Sequence, residues 1–344
     1  SVQFECTMAR QLEAVKAYVV ADQETGRWDD VYHGELLQDF SRVSRILFGD
    51  VLSGLDRQIW LNELKPKHGP GAVADRLRGN AKFDLTQWPE RLNAVFPFWE
   101  WAVASPRFGY RGARVQFPSD RDEIPSRMIL VPKTMKSPRV IAAEPAALQY
   151  MQQALSQELV DLLESDSLVG DPRWKDVHTH LHEGMLGFTQ QAPNQHMAKM
   201  GSIHGRLATL DMSEASDRVS LGQVEALLEC SPWTRDAFFA TRSLRVQLAF
   251  SSDVMTLRKF ASMGSALCFP VEAMVFLTAV FMGIERKLVS EGLVQHLTRS
   301  TVKRYRGSVR VYGDDIIVPV DCVDAVAQVF AQLGWKINTG KSFW

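Results

Sequence analysis

Between Val309 and Pro319 the chain sets two adjacent acids, Asp314 and Asp315, between two short runs of strand formers. Gly313 and the two acids supply turn chemistry, so the segment predicts a β-hairpin with two carboxylates at its tip. Like charges held that close repel unless a cation lies between them. A hard divalent ion shared with substrate phosphates is the natural occupant; a merely polar surface turn is the bland alternative. A partner upstream separates these readings. Leu207 to Leu210 reads as a short buried strand ending on Asp211, and Ser213, Glu214 and Ser216 then open a helical pattern through Val224, Ala226, Leu227 and Leu228. Asp211 therefore stands where a strand hands over to a helix, a position that a rigid scaffold holds well. Capping of that helix is the plainer role for Asp211 or Ser213. Asp217 falls about one and a half turns further on. Asp211, Asp314 and Asp315 together predict a site for two Mg²⁺ ions, with Mn²⁺ as a substitute, and permit two-metal nucleotidyl transfer. One ion would lower the pKa of an attacking 3′-hydroxyl and the other would neutralise the leaving pyrophosphate. Positioning and electrostatics are then the protein's share.

Three further segments carry suitable residues. Lys133, Lys136 and Arg139 fall within seven residues, and Pro132 and Pro138 keep them out of a helix. An extended strand with three cations suits a polyphosphate, Arg as a planar fork and Lys as a point charge; a solvated charge run is the bland alternative. Glu144 is expected to orient one of these cations through an ion pair, or else to begin a helix ahead of Pro145. Ser262-Met-Gly-Ser265 predicts a loop that admits close backbone approach at Gly264, followed by a long helix from Pro270. Leu333 to Phe343 offers Lys336 and Lys341, either of which could serve as a general acid to a leaving pyrophosphate or be an ordinary surface lysine.

The elements that must position these residues are legible in outline. From about residue 205 the order strand, helix, loop, helix, hairpin predicts an antiparallel sheet backed by helices, α+β in class. Residues 146–165 predict an amphipathic helix with Leu148, Met151, Leu155, Leu159 and Leu162 on one stripe. Residues 1–125 look mainly helical, interrupted around Trp88 to Phe98.

The segment from Asp211 to Asp217, then Ser262 to Ser265, then Tyr312-Gly-Asp-Asp315 resemble, in order and spacing, motifs A, B and C of RNA-dependent RNA polymerases, and the replicases of the single-stranded RNA phages, the levivirus family, in particular. Val131 to Pro145 is similar to that family's basic motif F, and Leu333 to Phe343 to its motif D. The resemblance runs from about residue 130 to the end; before that, only Gly69-Pro-Gly71 is family-like, and Asn194-Gln195 adds to the match within it. It implies a right-hand polymerase with largely helical fingers in 1–204, motif F at 130–145 included, and a palm in 205–344. Family members continue into a motif E and a thumb, so the resemblance implies that the thumb is missing here. It also implies RNA-templated RNA synthesis in the cytoplasm of a bacterial host, with RNA template and product, nucleoside triphosphates, host translation factors and a ribosomal protein as partners. Lys133, Lys136 and Arg139 would hold the incoming triphosphate, and Lys341 matches the motif D position better than Lys336. Ser265 stands where the family has Asn, so reading of the ribose 2′-hydroxyl would rest more on Asp217 and Ser262, with Gly264 shaping the loop between. Two other readings compete. A reverse transcriptase shares the Tyr-x-Asp-Asp hairpin, and Asp217 with Ser262 argues against it. An RNA-binding module with a decayed metal site would not need Asp211, Asp314 and Asp315 intact.

Composition narrows the field. A chain of 344 residues with 46% hydrophobic composition can bury a large core, and its formal net charge of −1 excludes a uniformly basic nucleic-acid binder. RNA contacts must come from local clusters, for which Arg242, Arg245, Arg258 and Lys259, then Arg299, Lys303, Arg304, Arg306 and Arg310, are the candidates, balanced by acids such as those from Glu158 to Glu164. Cys6, Cys230, Cys268 and Cys322 form no CxxC pair, which argues against zinc ribbons and disulfide frameworks. His178, His180 and His182 could share one face of a strand, but no further ligand lies at suitable spacing. The most apolar stretch, Ala273 to Ile284, is flanked by Glu272 and Glu285 and reads as a buried helix too short to cross a bilayer.

Overall fold

The computed structural model describes residues 7–103, 114–132, 137–173 and 183–344. Two long helices lead, α1 (Met8–Asp29) and α2 (Gly34–Trp60). In α2, Phe40, Val43, Leu47, Val51, Leu55 and Ile59 recur at helical spacing and all are buried, the pattern of a helix with one core-facing stripe. After Trp60 the expected helical character gives way to loops and two short helices, α3 (Glu90–Val95) and α4 (Phe98–Trp101), each capped by a proline. Trp88 organises this part: its ring is fully buried, and its indole N–H donates to the Phe96 carbonyl at 2.9 Å.

The basic segment folds as a hairpin and not as one extended strand. Strands β1 (Ser126–Val131) and β2 (Arg139–Ala143) pair antiparallel, with Val131 opposite Arg139. Pro132 and Pro138 fall in the connection, where a missing N–H interrupts no ladder. Lys133 and Lys136 lie outside the described residues. The predicted helix follows with the predicted bounds, α5 (Ala146–Ser165), except that Leu163 and not Leu162 completes the buried stripe. Next come α6 (Ala192–His204), closed by Gly205 at φ +62°, and β3 (Leu207–Asp211).

The helix expected directly after Asp211 does not form. Glu214 takes a left-handed φ of +53°, Ala215–Arg218 make a single 3₁₀ turn, and α7 (Leu221–Leu227) starts afresh. Ser220 and Gln223 supply the reason, a reciprocal capping box that sets the true N-terminus. Then follow α8 (Pro232–Thr241), β4 (Arg245–Gln247), β5 (Val254–Thr256), α9 (Cys268–Ser290), α10 (Arg299–Lys303), β6 (Arg310–Tyr312), β7 (Asp315–Pro319) and α11 (Val323–Gln332).

The architecture is mixed helix and sheet. One sheet has the order β2-β1-β4-β5, in which only β1 and β4 run parallel, and so draws strands from both sides of residue 204. The other, β3-β7-β6, is antiparallel throughout. Both of its edges are covered. The Phe343 backbone exchanges hydrogen bonds with Thr209 at 2.8 Å along β3, and the Val311 N–H donates to the Met185 carbonyl at 2.7 Å along β6. Covered edges cannot recruit a further strand.

Helix α9 is longer than the apolar run that betrayed it. It spans 23 residues and is apolar enough by length and composition to cross a membrane, but 94% of its most apolar window is buried within the protein. Phe276 and Phe281 are fully sequestered, each contributing roughly 2–3 kcal/mol by burial. Gly283 lets α11 approach so closely that a Cβ there would lie 2.7 Å from the Val326 backbone.

Candidate active site

The β3-β7-β6 sheet brings three acids to one end. Asp211 lies directly opposite Asp315 in the β3–β7 register, and Asp315 opposite Tyr312 in the β6–β7 register. Directly opposed residues share a face of the sheet. Gly313 and Asp314 are thus the two turn residues of the predicted hairpin. Gly313 adopts φ +61°, and a Cβ there would fall 2.1 Å from the Phe269 ring. That ring, on the first turn of α9, packs edge-on against Tyr312 at 5.3 Å, so the tip rests on the helix behind it.

Electrostatics agree with this placement. Burial, then the neighbouring Asp314 and Asp211, push the Asp315 carboxyl above the usual carboxylate range. Lys341 Nζ lies 3.5 Å from Asp211 Oδ2. The C-terminal segment fixes that lysine: the Ser342 hydroxyl accepts from the Asp211 N–H at 3.0 Å, and the Asn338 N–H donates to the Asp211 carbonyl at 2.8 Å. Lys336 points elsewhere, to Glu24 at 2.8 Å.

Asp211, Asp314, Asn338 and Lys341 border a cleft of about 900 Å³ that also receives Arg139, Asp217, Gly264 and Ser265, with Asp315 beside it through its register with Asp211. Arg139 is exposed at the first position of β2. Gly264 justifies its sequence reading: φ is +124°, and a Cβ would sit 2.0 Å from the Ala142 carbonyl oxygen. The Ala142 N–H donates to the Met263 carbonyl at 2.7 Å, tying the loop to β2. Ser265 is buried, and its hydroxyl accepts from the Leu267 N–H at 3.3 Å. Ser262 is turned inward, its hydroxyl 2.6 Å from the Tyr18 hydroxyl.

Tyr18 and Glu272, which the sequence did not single out as site residues, and Lys259, which it offered only for RNA contact, complete the cleft. Tyr18, from α1, lines it. Lys259 lies beneath, fully buried, 2.6 Å from Asp217 Oδ1 and 3.3 Å from the centre of the Tyr18 ring. Burial alone would depress the Lys259 ammonium, but Asp217, Tyr18 and Asp22 outweigh it and hold its pKa above the ordinary value. Glu272, marked in the sequence only as the flank of an apolar run, is 6% exposed on the first turns of α9. Burial, then Asp314 and Asp217, raise its carboxyl well above the usual range. The available signal was an acid directly ahead of the long apolar run Ala273 to Ile284.

Other expectations need correction. Among the described residues Glu144 orients no motif F cation: its carboxylate accepts from the Ser243 hydroxyl at 2.5 Å and from Gln152 Nε2 at 3.2 Å, and burial raises its pKa. Most of the basic residues proposed for RNA contact are spent inside the fold. Arg242 donates to the carbonyls of Phe260, Leu257 and Lys259, and burial followed by Arg91 lowers its pKa to about 10. Arg310 is buried against Asn194 and the Gly184 carbonyl, with its pKa also lowered to about 10 by burial. Arg245 donates to the Glu123 carbonyl, Arg258 pairs with Asp30, Arg299 with Asp50, and Arg306 donates to three carbonyls of residues 167–170. Lys303 and Arg304 alone of that set are exposed without such a role. Cys6, His178, His180 and His182 lie outside the described residues.

As they stand, no three acids, histidines or cysteines among the described residues are assembled into a ready cage for an ion. The donor set nevertheless fits one. Asp211 and Asp315 are opposed across the sheet and Asp314 is adjacent; burial, then Asp314 and Asp211, raise the Asp315 pKa, and a cation among the three would relieve their repulsion.

A match to a family model falls on the part of the chain that carries Asp211, Asp314 and Asp315. Residues 175–344 match the family model described as RNA replicase, beta-chain. The chain is 29% identical over 220 residues to the RNA-directed RNA polymerase subunit beta of Qbeta virus (strain MX1), covering 63% of this chain and 31% of that protein. It is 31% identical over 218 residues to the corresponding subunit of Enterobacteria phage SP, covering 63% and 32%. With the RNA-directed RNA polymerase beta chain of Escherichia phage MS2 it shares 26% over 213 residues, 62% and 32%. The chain thus spans about a third of the length of the curated relatives it matches. Among solved structures it is similar to the RNA-dependent RNA polymerase of a human picobirnavirus, with a TM-score of 0.42 and 16% identity over 64% of this chain and 40% of that one, and to the insertion-loop deletion mutant of that polymerase, with a TM-score of 0.42 and 14% identity over 64% and 41%.

Proposed function

Because the chain belongs, over residues 175–344, to the RNA replicase beta-chain family, we propose that its acidic cleft is the catalytic centre of an RNA-templated RNA polymerase of a single-stranded RNA phage. The observation that carries the proposal is the register that opposes Asp211 to Asp315 beside the Asp314 turn. On this reading residues 1–204 supply fingers and 205–344 a palm, in the manner of a right-hand polymerase. The template and product RNA and the nucleoside triphosphates are its partners, host translation factors and a ribosomal protein join by family likeness, and the reaction runs in the host cytoplasm.

Asp211, Asp314 and Asp315 would hold divalent ions, Mg²⁺ by preference, which supply charge neutralisation at the transferring phosphate and activation of the attacking hydroxyl. The chain's own residues do the rest. Arg139 lies at the rim of the cleft, where a guanidinium fork suits the triphosphate. Asp217 presents a carboxylate, held by Lys259, to the ribose. Lys341 places an ammonium at the acids, in position to donate a proton to the departing pyrophosphate. Glu272 forms the cleft floor, where burial, then Asp314 and Asp217, raise its carboxyl pKa and so oppose a further negative charge at an already acidic centre.

The test is Mg²⁺-dependent incorporation of labelled ribonucleotides on a short primed RNA. Asp314→Asn removes one ligand charge with almost no change of shape, and incorporation should drop by at least about 10³-fold with an unaltered melting temperature. Incorporation at the wild-type rate in that variant would rule out the assignment.

A further inference from the structure

A second large cavity lies away from the acidic cleft. The loop from His68 to Phe83 and the start of β1 enclose about 630 Å³, and the wall carries Arg76, Arg78, Arg127 and Lys82 with no carboxylate among its described residues. Cations gathered without acids mark a surface shaped for an anion.

Two polar atoms there are buried and have no hydrogen-bond partner, Nε of Arg127 and Nδ1 of His68. A buried donor left unmade costs about 1–3 kcal/mol, so an orphaned guanidinium nitrogen in a native fold asks for a missing partner. The loop is built and held. Lys82 Nζ donates to the carbonyls of Gly69 and Gly71 at 2.7 and 2.5 Å, which accounts for that ammonium and fixes one limb. On the other limb Arg76 keeps a left-handed φ of +60°, a conformation that non-glycine residues adopt at a cost. Phe83 stands at the rim, 60% exposed, edge-on to the His68 ring at 4.8 Å. Guanidinium forks bind phosphate bidentately, and an exposed aromatic beside them offers a face for a base.

The cavity is also connected to the cleft. In the β1–β2 register Arg127 opposes Ala143 and Val131 opposes Arg139. Alternate residues share a face, so Arg127 and Arg139 lie on the same face of the hairpin at opposite ends, roughly 13 Å apart along the strand at about 3.3 Å per residue. We propose that the Arg76–Arg78–Arg127 cavity is a second phosphate-binding site, which holds a backbone phosphate of single-stranded RNA while the strand crosses the hairpin to the acidic cleft. Only the choice of RNA as the carrier rests on the polymerase reading; the phosphate chemistry does not.

The experiment is equilibrium binding of a fluorescent oligouridylate at several KCl concentrations, with tripolyphosphate as a second ligand. The Arg76→Ala/Arg78→Ala variant, changed at two exposed positions, should bind the RNA about tenfold more weakly at low salt. Its slope of log K against log[KCl] should fall by about 0.7, the value for one lost phosphate contact on a single strand. Arg235→Ala removes an exposed arginine paired with Asp236 on α8 and should change neither quantity. Arg76→Lys, which keeps the charge, should restore the slope. An unchanged affinity and slope in the double variant would overturn the site. Weakened tripolyphosphate with unaffected RNA would overturn the strand in favour of a free nucleotide. Binding is read without turnover, so a failure of the polymerase reading, seen as incorporation that survives Asp314→Asn, is a separate result.

Discussion

Replacing Lys259 with Met tests the least expected part of the cleft. The ammonium is sealed from solvent between Asp217 Oδ1 at 2.6 Å and the Tyr18 ring at 3.3 Å. Removing one partner of a buried ion pair costs about 3–5 kcal/mol, most of it the penalty on the charge left behind. The Asp217 side chain is 20% exposed and can regain some water, which favours the lower end. The lost cation–π contact, about 2 kcal/mol when desolvated, is partly replaced by a thioether on the same ring, about 1 kcal/mol. Met fills nearly the same volume, so no cavity term adds. We expect Lys259→Met to lower the unfolding free energy in urea by about 3 kcal/mol, and Asp217→Asn in the same chain to recover about 2 kcal/mol of it. Additivity of the two changes within ~0.5 kcal/mol would refute the pairing. The pH profile gives a second check. A lysine whose folded pKa is raised contributes stability that is complete below its unfolded value of about 10.4 and is lost as pH rises through the folded one. Wild type should therefore lose stability in that alkaline window, and Lys259→Met should lack that loss.

Three other outcomes follow from the geometry. Gly264→Ala sets a Cβ 2.0 Å from the Ala142 carbonyl at φ +124°, so it should lower stability by about 3 kcal/mol or more in thermal or urea unfolding; a loss under about 1 kcal/mol would mean that the loop yields. Asp217→Ala should relax the preference for ribo- over deoxyribonucleotides about tenfold in kcat/KM, and an unaltered ratio would assign the ribose contact elsewhere. For Glu272 the folded pKa is raised by burial first and then by Asp314 and Asp217, so the stability it contributes is complete below its unfolded value and is lost as pH rises through the folded one. Glu272→Gln should flatten the melting temperature between acid and neutral pH relative to wild type, whereas parallel profiles would show that the carboxyl is solvated.

What could be read from the chain was whatever local order determines. The hairpin at Asp314 and Asp315 follows from Gly313 between two apolar runs, and the helix at Ala146–Ser165 from its stripe. Gly264 was legible because no other residue takes its backbone conformation. The helix after Asp211 was misplaced because two start signals compete: Ser213 and Glu214 resemble one, but the reciprocal bonds between Ser220 and Gln223 make the other. No local pattern could have joined Tyr18 to Ser262, which are 244 residues apart. The Ser342 hydroxyl that meets the Asp211 backbone comes from 131 residues downstream.

The basic residues show why position in the chain misled most where charge was concerned. Arg242, Lys259 and Arg310 cluster in sequence ahead of the loop and the hairpin they support, and that is the reason they are buried. Arg242 and Arg310 satisfy buried carbonyls and Lys259 the Asp217 carboxylate, and a buried acceptor needs a donor as much as a substrate does. A near-neutral chain that spends these cations internally cannot also use them to draw RNA. Among the described residues that line the cleft, the cations are Arg139 and Lys341, and Lys341 already faces Asp211. Attraction of a polyanion must then lean on cations set outside the cleft. Among the described residues, the acid-free wall of Arg76, Arg78 and Arg127 is where they are gathered.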